Sequence, residues 1–163
     1  MMDISGKPIV VEVTFDVSIG ELWKAITELK QMTQWFFDNI EAFRPKVGFE
    51  TRFVIENEGR SFPHLWKITE VEPLRKITYN WKYEGYAGDS FVAFELFDEG
   101  ENTRLKLTHT ITKDFPQDIP EFTRESCIGG WNYFIRQSLV DYLKSKNENV
   151  TGENRSGRAL SGI

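Results

Sequence analysis

Two histidines and one cysteine are the side chains of this sequence best suited to acid–base or nucleophilic chemistry. His109 alternates with the leucine and isoleucine side chains of residues 105–111, which predicts that its imidazole faces the interior. There it would serve either as a polar anchor or acid–base group, or as a core histidine with both nitrogens hydrogen-bonded. His64 follows a proline near the start of a predicted strand, and the structural interpretation is favoured more strongly there.

Cys127 and the acidic pair Glu121 and Glu125 are the other candidates for chemistry. A cysteine nucleophile needs a lowered pKa and a nearby base, and the sequence indicates neither for Cys127, so we interpret it as a small buried residue. Glu121 and Glu125 lie one helical turn apart on a face predicted to be exposed, which is typical of solvated charges. Ser126 lacks the glycine-flanked elbow of serine hydrolases. The sequence therefore predicts no catalytic residue.

The composition argues against several classes of function. Two His and one Cys leave almost no material for a zinc site, and no phosphate-binding loop is present, so we predict no metal and no cofactor. With 20 basic and 25 acidic residues among 163, the net charge of -5 disfavours nucleic acid or an anionic membrane as partner. No apolar run approaches the ~20 residues of a membrane helix, and no signal peptide is visible, so we expect a cytoplasmic location.

Aromatic residues make up 14% of the chain, a high share. They form either plain core or the lining of a pocket for a small hydrophobic molecule, and as a set they favour a pocket, because tryptophan and tyrosine carry polar atoms that need partners. With His109, the predicted lining comprises Trp35, Phe36, Phe53, Trp66, Tyr79, Trp81, Phe94, Trp131 and Phe134. An empty apolar pocket of about 300 Å³ would cost roughly 7 kcal/mol, so any pocket must be small, hydrated or occupied.

Period-two alternation predicts the strands that hold these side chains. The first strand covers residues 9–15, followed by a helix that Ser18 and Glu21 open as a capping box, and by a second, short helix. From about residue 40 to 112, about six alternating segments separated by turns predict an antiparallel meander. Because the strands come as a block and do not alternate with helices, the pattern is typical of an α+β fold.

A long C-terminal helix is predicted from Asp118, as the capping residue, to about Lys146. Gly129–Gly130 within it indicates either a kink or close approach to the sheet, or a helix that starts at Gly130 after a shorter one from residue 119. Residues 147–163 are rich in Asn, Ser and Gly and are predicted to be a flexible tail, so the domain is predicted to span residues 7–146.

Seven short motifs occur in a fixed order along the chain: Leu22–Ala25, Gln34–Phe36, Lys46–Gly48, Ile68–Pro73, Ile77–Trp81, Asn102–His109 and Gly130–Trp131. Together they resemble the START and Bet v 1-like superfamily, and within it the family of activator of Hsp90 ATPase homologue 1-like proteins. The resemblance covers roughly residues 7–145. It implies the helix-grip fold, in which a curved antiparallel sheet of about six to seven strands wraps around the long C-terminal helix. In related families the cavity between them takes apolar ligands.

Three functions remain open. The favoured one is binding of a small apolar or amphipathic ligand without catalysis. The second is a protein-interaction or chaperone-related accessory module, in which Phe91 and Phe97, on the less buried face, would contact a partner or a second copy. The third is a cyclase- or hydrolase-like enzyme, which requires His109 and a second polar group within hydrogen-bond reach in one cavity.

Overall fold

A single antiparallel sheet of six strands forms the largest part of the protein, seen in a computed structural model that describes residues 7–147. The strands are β1 (Ile9–Phe15), β2 (Glu50–Asn57), β3 (Arg60–Glu72), β4 (Lys76–Tyr83), β5 (Asp89–Glu99) and β6 (Asn102–Lys113). The helical elements are α1 (Ile19–Thr27), α2 (Leu29–Trp35), a 3-10 turn (Pro120–Phe122), α3 (Arg124–Trp131), a π-helical segment (Asn132–Ser138) and α4 (Leu139–Asn147). The predicted α+β fold, with two short helices after the first strand, is confirmed.

The strand order is β1-β6-β5-β4-β3-β2. Strands β2 to β6 follow one another through tight turns, whereas β1 pairs with β6 at the opposite edge from β2. The segment that contains α1 and α2 must therefore carry the chain across the width of the sheet. Glu58 and Gly59 form the β2–β3 turn with φ of 54° and 80°, the left-handed pair that a two-residue hairpin requires. This turn sets Asn57 opposite Arg60.

The two faces of the sheet differ sharply in chemistry. On the outer face Glu12, Lys106, Glu95 and Lys76 stand in register across four neighbouring strands, so charges of alternating sign run across the sheet. Such a face is compatible with water and provides cross-strand attraction. The apolar side chains are consequently sorted to the inner face, where the helices cover them.

The start of the C-terminal helix differs from the prediction. Asp118 does not cap it, because Pro120–Phe122 forms a separate 3-10 turn and Thr123 then adopts an extended conformation. Thr123 is the capping residue of α3, and its side-chain oxygen accepts a hydrogen bond from the backbone N–H of Ser126 at 3.2 Å. Gly129–Gly130 lies inside α3, so the alternative of a helix that begins at Gly130 is also wrong.

Helix α3, the π-helical segment and α4 form one continuous helix over residues 124–147, here called the C-terminal helix. In its middle the backbone N–H of Leu139 donates to the carbonyl oxygen of Phe134, five residues back, which is the π pattern. Ser138 is buried there, and its hydroxyl donates to the carbonyl oxygen of Trp35 at 2.6 Å. This bond ties the helix to the end of α2.

Residues 148–163, most of the predicted tail, lie outside the described residues. Within residues 7–147, no helix combines the length and apolar character needed to cross a bilayer.

Candidate functional site

The ten side chains predicted to line a pocket meet in one buried layer between the sheet and the C-terminal helix. They come from the end of α2, from strands β2 to β6 and from the C-terminal helix, and each is at most 3% exposed. Ring contacts connect all ten: Trp35, Phe36, Phe53, Trp66, Tyr79, Trp81, Phe94, His109, Trp131 and Phe134. We call this layer the aromatic interior. Its role in binding a ligand stays a prediction.

Phe36 lies at the centre of the aromatic interior. It follows the last residue of α2, and its ring stacks on Trp35 with centroids 4.6 Å apart and planes within 6°. From the helix side Phe134 meets it edge-on at 4.9 Å, and from the sheet side Trp66 stacks on it at 5.5 Å. These are ordinary packing distances for aromatic rings. A ligand placed at the position of Phe36 must therefore displace one of these rings.

Both ring nitrogens of His109 are hydrogen-bonded. The indole N–H of Trp131 donates to Nδ1 at 3.0 Å, and Nε2 lies 2.9 Å from the hydroxyl of Ser90. Because an indole only donates, Nδ1 must accept, and the imidazole proton is on Nε2. The Ser90 hydroxyl accepts the hydrogen bond from this N–H and donates its own hydrogen bond to the carbonyl oxygen of Trp81 at 2.7 Å. Burial lowers the pKa of His109 from 6.5 to about 4, so the ring is neutral near pH 7.

This arrangement limits what His109 can do chemically. Ser90 is the second polar group that the enzyme hypothesis required, within hydrogen-bond reach of the imidazole. However, Nε2 already carries a proton and donates it towards Ser90, so it cannot act as a base on that hydroxyl. The geometry favours a satisfied buried network that links β4, β5, β6 and the C-terminal helix.

Two other polar atoms in the aromatic interior have no hydrogen-bond partner among the described residues. They are the indole Nε1 of Trp66 and the hydroxyl of Tyr79. The two residues lie on β3 and β4, and their ring centroids are 4.9 Å apart. Burial of Tyr79 raises the pKa of its hydroxyl far above 10, so it stays protonated and can donate. Each atom is thus a buried hydrogen-bond donor without an acceptor in the described part of the chain.

The sequence candidates His64 and Cys127 are also buried. His64 is buried, its Nδ1 lies 2.9 Å from the carbonyl oxygen of Phe62, and its ring stacks on Phe53. Cys127 is buried as expected, and burial raises the pKa of its thiol to about 12, so it is unsuited to act as a nucleophile near neutral pH.

The expectation that Glu121 is a solvated charge is wrong. The residue is only 5% exposed, and its carboxylate accepts two hydrogen bonds from Arg60 and one from Asn57 at 2.8–3.0 Å. Burial alone would raise the pKa of Glu121, but these donors outweigh it and hold the pKa below its ordinary value. Glu125, by contrast, is exposed, so the two acids do not share a site. The partners of Glu121 are some sixty positions away in sequence and gave no local signal.

Phe91 and Phe97 lie on the outer face of β5, as expected. Phe91 is half-buried and Phe97 is 37% exposed. The guanidinium of Arg104 lies 4.2 Å above the Phe97 ring, so part of the ring is covered by a cation. Among the described residues no group of His, Cys, Asp and Glu is arranged to hold a metal ion.

Comparison with known proteins places this architecture in context. The family model described as activator of Hsp90 ATPase homolog 1-like protein matches residues 16–144. No curated protein matches the chain in sequence.

Solved structures are similar in fold at low sequence identity. Protein MLL2253 from Mesorhizobium loti is 23% identical with a TM-score of 0.66, and the match covers 89% of this chain and 100% of that one. The Mll3558 protein from Rhizobium loti is 16% identical with a TM-score of 0.70, covering 83% and 96% of the two chains. DynU16, from the dynemicin biosynthetic locus, is 23% identical with a TM-score of 0.67 over 85% of this chain, which spans about half (48%) of DynU16. At these identities the likeness establishes the helix-grip fold alone.

Proposed function

The chain belongs to the family of activator of Hsp90 ATPase homolog 1-like proteins, and from that premise we propose that it binds a small apolar or amphipathic molecule in its aromatic interior. Family and fold together support a helix-grip domain of the ligand-binding or cyclase-like kind. Binding is favoured over catalysis because both nitrogens of His109 are already engaged by Trp131 and Ser90.

The observation that carries the proposal is the pair of unpartnered donors at Trp66 and Tyr79. A buried polar atom without a partner costs about 1–3 kcal/mol. A fold can retain such a cost when the missing partner arrives with a bound molecule. The aromatic rings around the pair provide apolar contact area for the rest of that molecule.

The close packing of the interior is consistent with binding. A void of about 300 Å³ left open in the empty protein would cost roughly 7 kcal/mol, which is comparable to the whole stability of a domain. The empty protein is therefore expected to close its interior with its own side chains and to open it when a ligand compensates.

The experiment is a titration with N-phenyl-1-naphthylamine, an uncharged apolar fluorophore. We expect saturable binding of one equivalent by native mass spectrometry and energy transfer from the buried tryptophans to the probe. We also expect a rise in unfolding temperature, because a ligand at 100 times its Kd stabilises the folded state by about 2.7 kcal/mol.

The control variant is Phe97→Ser, which removes the exposed ring on the outer face and leaves the interior unchanged. Equal binding by the wild type and this variant supports the interior as the site. Loss of binding in Phe97→Ser, or no stabilisation at saturating probe, would contradict the proposal.

A further inference from the structure

One buried ring lies in an otherwise exposed loop beside the unpartnered donors. Between α2 and β2, Phe43 is 7% exposed, whereas residues 41, 42 and 44–48 are all exposed. We call residues 41–48 the Phe43 loop. Its contacts with the interior therefore depend on a single side chain.

The ring of Phe43 packs directly on the two unpartnered residues. Its centroid lies 5.7 Å from that of Tyr79 and 6.3 Å from that of Trp66, with edge-to-face geometry in both cases. An aromatic ring provides no strong acceptor, so this contact does not replace the missing hydrogen bonds. Phe43 therefore fills space beside the pair and leaves its polar atoms unsatisfied.

The Phe43 loop is weakly attached elsewhere. Its C-terminal end is tied to the sheet by the bond from the Gly48 N–H to the Ile68 carbonyl, 2.8 Å long. Within residues 41–47, two backbone hydrogen bonds are described: the Lys46 N–H donates to the Arg44 carbonyl, and the Phe49 N–H donates to the Lys46 carbonyl. Both stay within the loop and the residue that follows it. The middle of the loop is therefore free to move once the Phe43 ring leaves its position.

We infer that the ligand is an uncharged molecule with an acceptor oxygen, such as a ketone, ester or amide, which takes the place of the Phe43 ring and accepts hydrogen bonds from Trp66 and Tyr79. This inference rests on the proposed function. An acceptor is required because an indole N–H can only donate. An oxygen is favoured over a charged group because the described chain buries no Lys or Arg that could pair with an anion. Among the described residues the one buried carboxylate, Glu121, is already bound by Arg60 and Asn57 and offers no site for a cation.

The first test compares three probes that share one ring system: 2-acetylnaphthalene, 2-ethylnaphthalene and 2-naphthoate. We expect the ketone to bind about tenfold more tightly than the hydrocarbon, the gain of about one good hydrogen bond, and the anion to bind most weakly at pH 7. In 1H–15N spectra the indole signal of Trp66, assigned with Trp66→Phe, should move downfield with the ketone only. The indole signals of Trp35 and Trp131, which are already hydrogen-bonded, should move little.

The second test uses ring removal at two neighbouring positions. Phe43→Ala should bind 2-acetylnaphthalene about tenfold more tightly than the wild type, because the ligand no longer has to displace a ring. Phe49→Ala is the matched control, since Phe49 contacts Phe43 but has no ring contact with Trp66 or Tyr79. It should leave the affinity within about twofold of the wild type.

The outcomes separate this inference from the proposed function. If N-phenyl-1-naphthylamine binds while the ketone and the hydrocarbon bind equally, or if Phe43→Ala and Phe49→Ala behave alike, the inference is overturned and the proposed function stands. If neither N-phenyl-1-naphthylamine nor any of the three probes binds, both are overturned. The probe comparison needs only the wild-type protein, so a variant that fails to fold does not prevent a decision.

Discussion

Trp131 and His109 are joined by a hydrogen bond of 3.0 Å in which the indole donates and Nδ1 accepts. This bond connects the C-terminal helix to β6 and selects the tautomer of the imidazole. A protonated imidazole would carry hydrogen on both nitrogens, so Nδ1 could no longer accept from Trp131. The contact is therefore formed only by the neutral histidine.

The free energy of unfolding is expected to fall as the pH is lowered from 6.5 to about 4, the range in which His109 is protonated in the unfolded chain but not in the folded protein. Burial lowers its pKa to about 4 in the folded state, against the ordinary value of 6.5 in the unfolded chain, so between these values the unfolded chain binds the extra proton. Neutral His109 makes its full contribution to the free energy of unfolding above pH 6.5. This contribution falls by up to roughly 3 kcal/mol towards pH 4. Urea unfolding at several pH values, for the wild type and His109→Gln, measures it. A difference between the two proteins that does not change with pH would contradict this assignment.

Removal of the Tyr79 hydroxyl should stabilise the empty protein. The hydroxyl has no partner among the described residues, so Tyr79→Phe removes a buried polar atom and should raise the free energy of unfolding by about 1 kcal/mol. Tyr83→Phe is the matched control: the Tyr83 hydroxyl accepts from the indole of Trp81 at 2.8 Å, so its loss should destabilise by about 1–3 kcal/mol. If urea unfolding showed that both variants change the free energy of unfolding in the same direction, the different roles assigned to the two hydroxyls would be refuted.

The ion pair between the half-buried Arg60 and the buried carboxylate of Glu121 should matter more than an exposed pair of the same type. Arg60→Ala removes two of the three hydrogen bonds to a buried carboxylate and should lower the free energy of unfolding more than the loss of an exposed pair does. Arg52→Ala breaks the exposed Arg52–Glu84 pair and should cost less than about 1 kcal/mol. Denaturant midpoints of both variants at pH 7 provide the comparison, and similar losses would show that burial of Glu121 is unimportant.

Trp131 should be central to packing. It is fully buried and contacts Phe36, Trp81 and Phe94, so Trp131→Ala is expected to destabilise by about 3–5 kcal/mol. Trp23→Ala, at a half-buried position on α1, is the comparison and should cost clearly less. Thermal unfolding followed by circular dichroism would reveal the difference. A loss below about 1 kcal/mol for Trp131→Ala would mean that the interior repacks around the missing ring.

The fold was predictable because its strands alternate with a period of two over most of their length, although β3 departs from it after the register shift between Ile68 and Glu70. The inward position of His109 followed from its leucine and isoleucine neighbours, and the start of α1 from Ser18, whose hydroxyl accepts from the Glu21 N–H at 3.2 Å. The start of the C-terminal helix was mispredicted because Asp118 and Pro120 carry the local signals of a cap, while the 3-10 turn and Thr123 interrupt them. Propensity cannot distinguish one turn of 3-10 helix from the first turn of an α-helix.

The burial of the ten predicted rings could be predicted, but their hydrogen bonding could not. Sorting of side chains by face identifies the rings of the aromatic interior, because burial follows from alternation. Whether Trp66 and Tyr79 find acceptors depends on distances between side chains of different strands, which no local pattern encodes. The same holds for Phe43, whose loop has no periodicity.

The π-helical segment determines the rotational phase of everything that follows it. A π turn accommodates one residue more than an α turn, which corresponds to about 100° of rotation around the axis. If Asn132–Ser138 kept all its residues and adopted α geometry, Leu139 and Leu143, now buried, would turn by about 100° towards a different neighbour. The inserted residue thus acts as a phase shift that keeps the last two turns of the helix facing the protein.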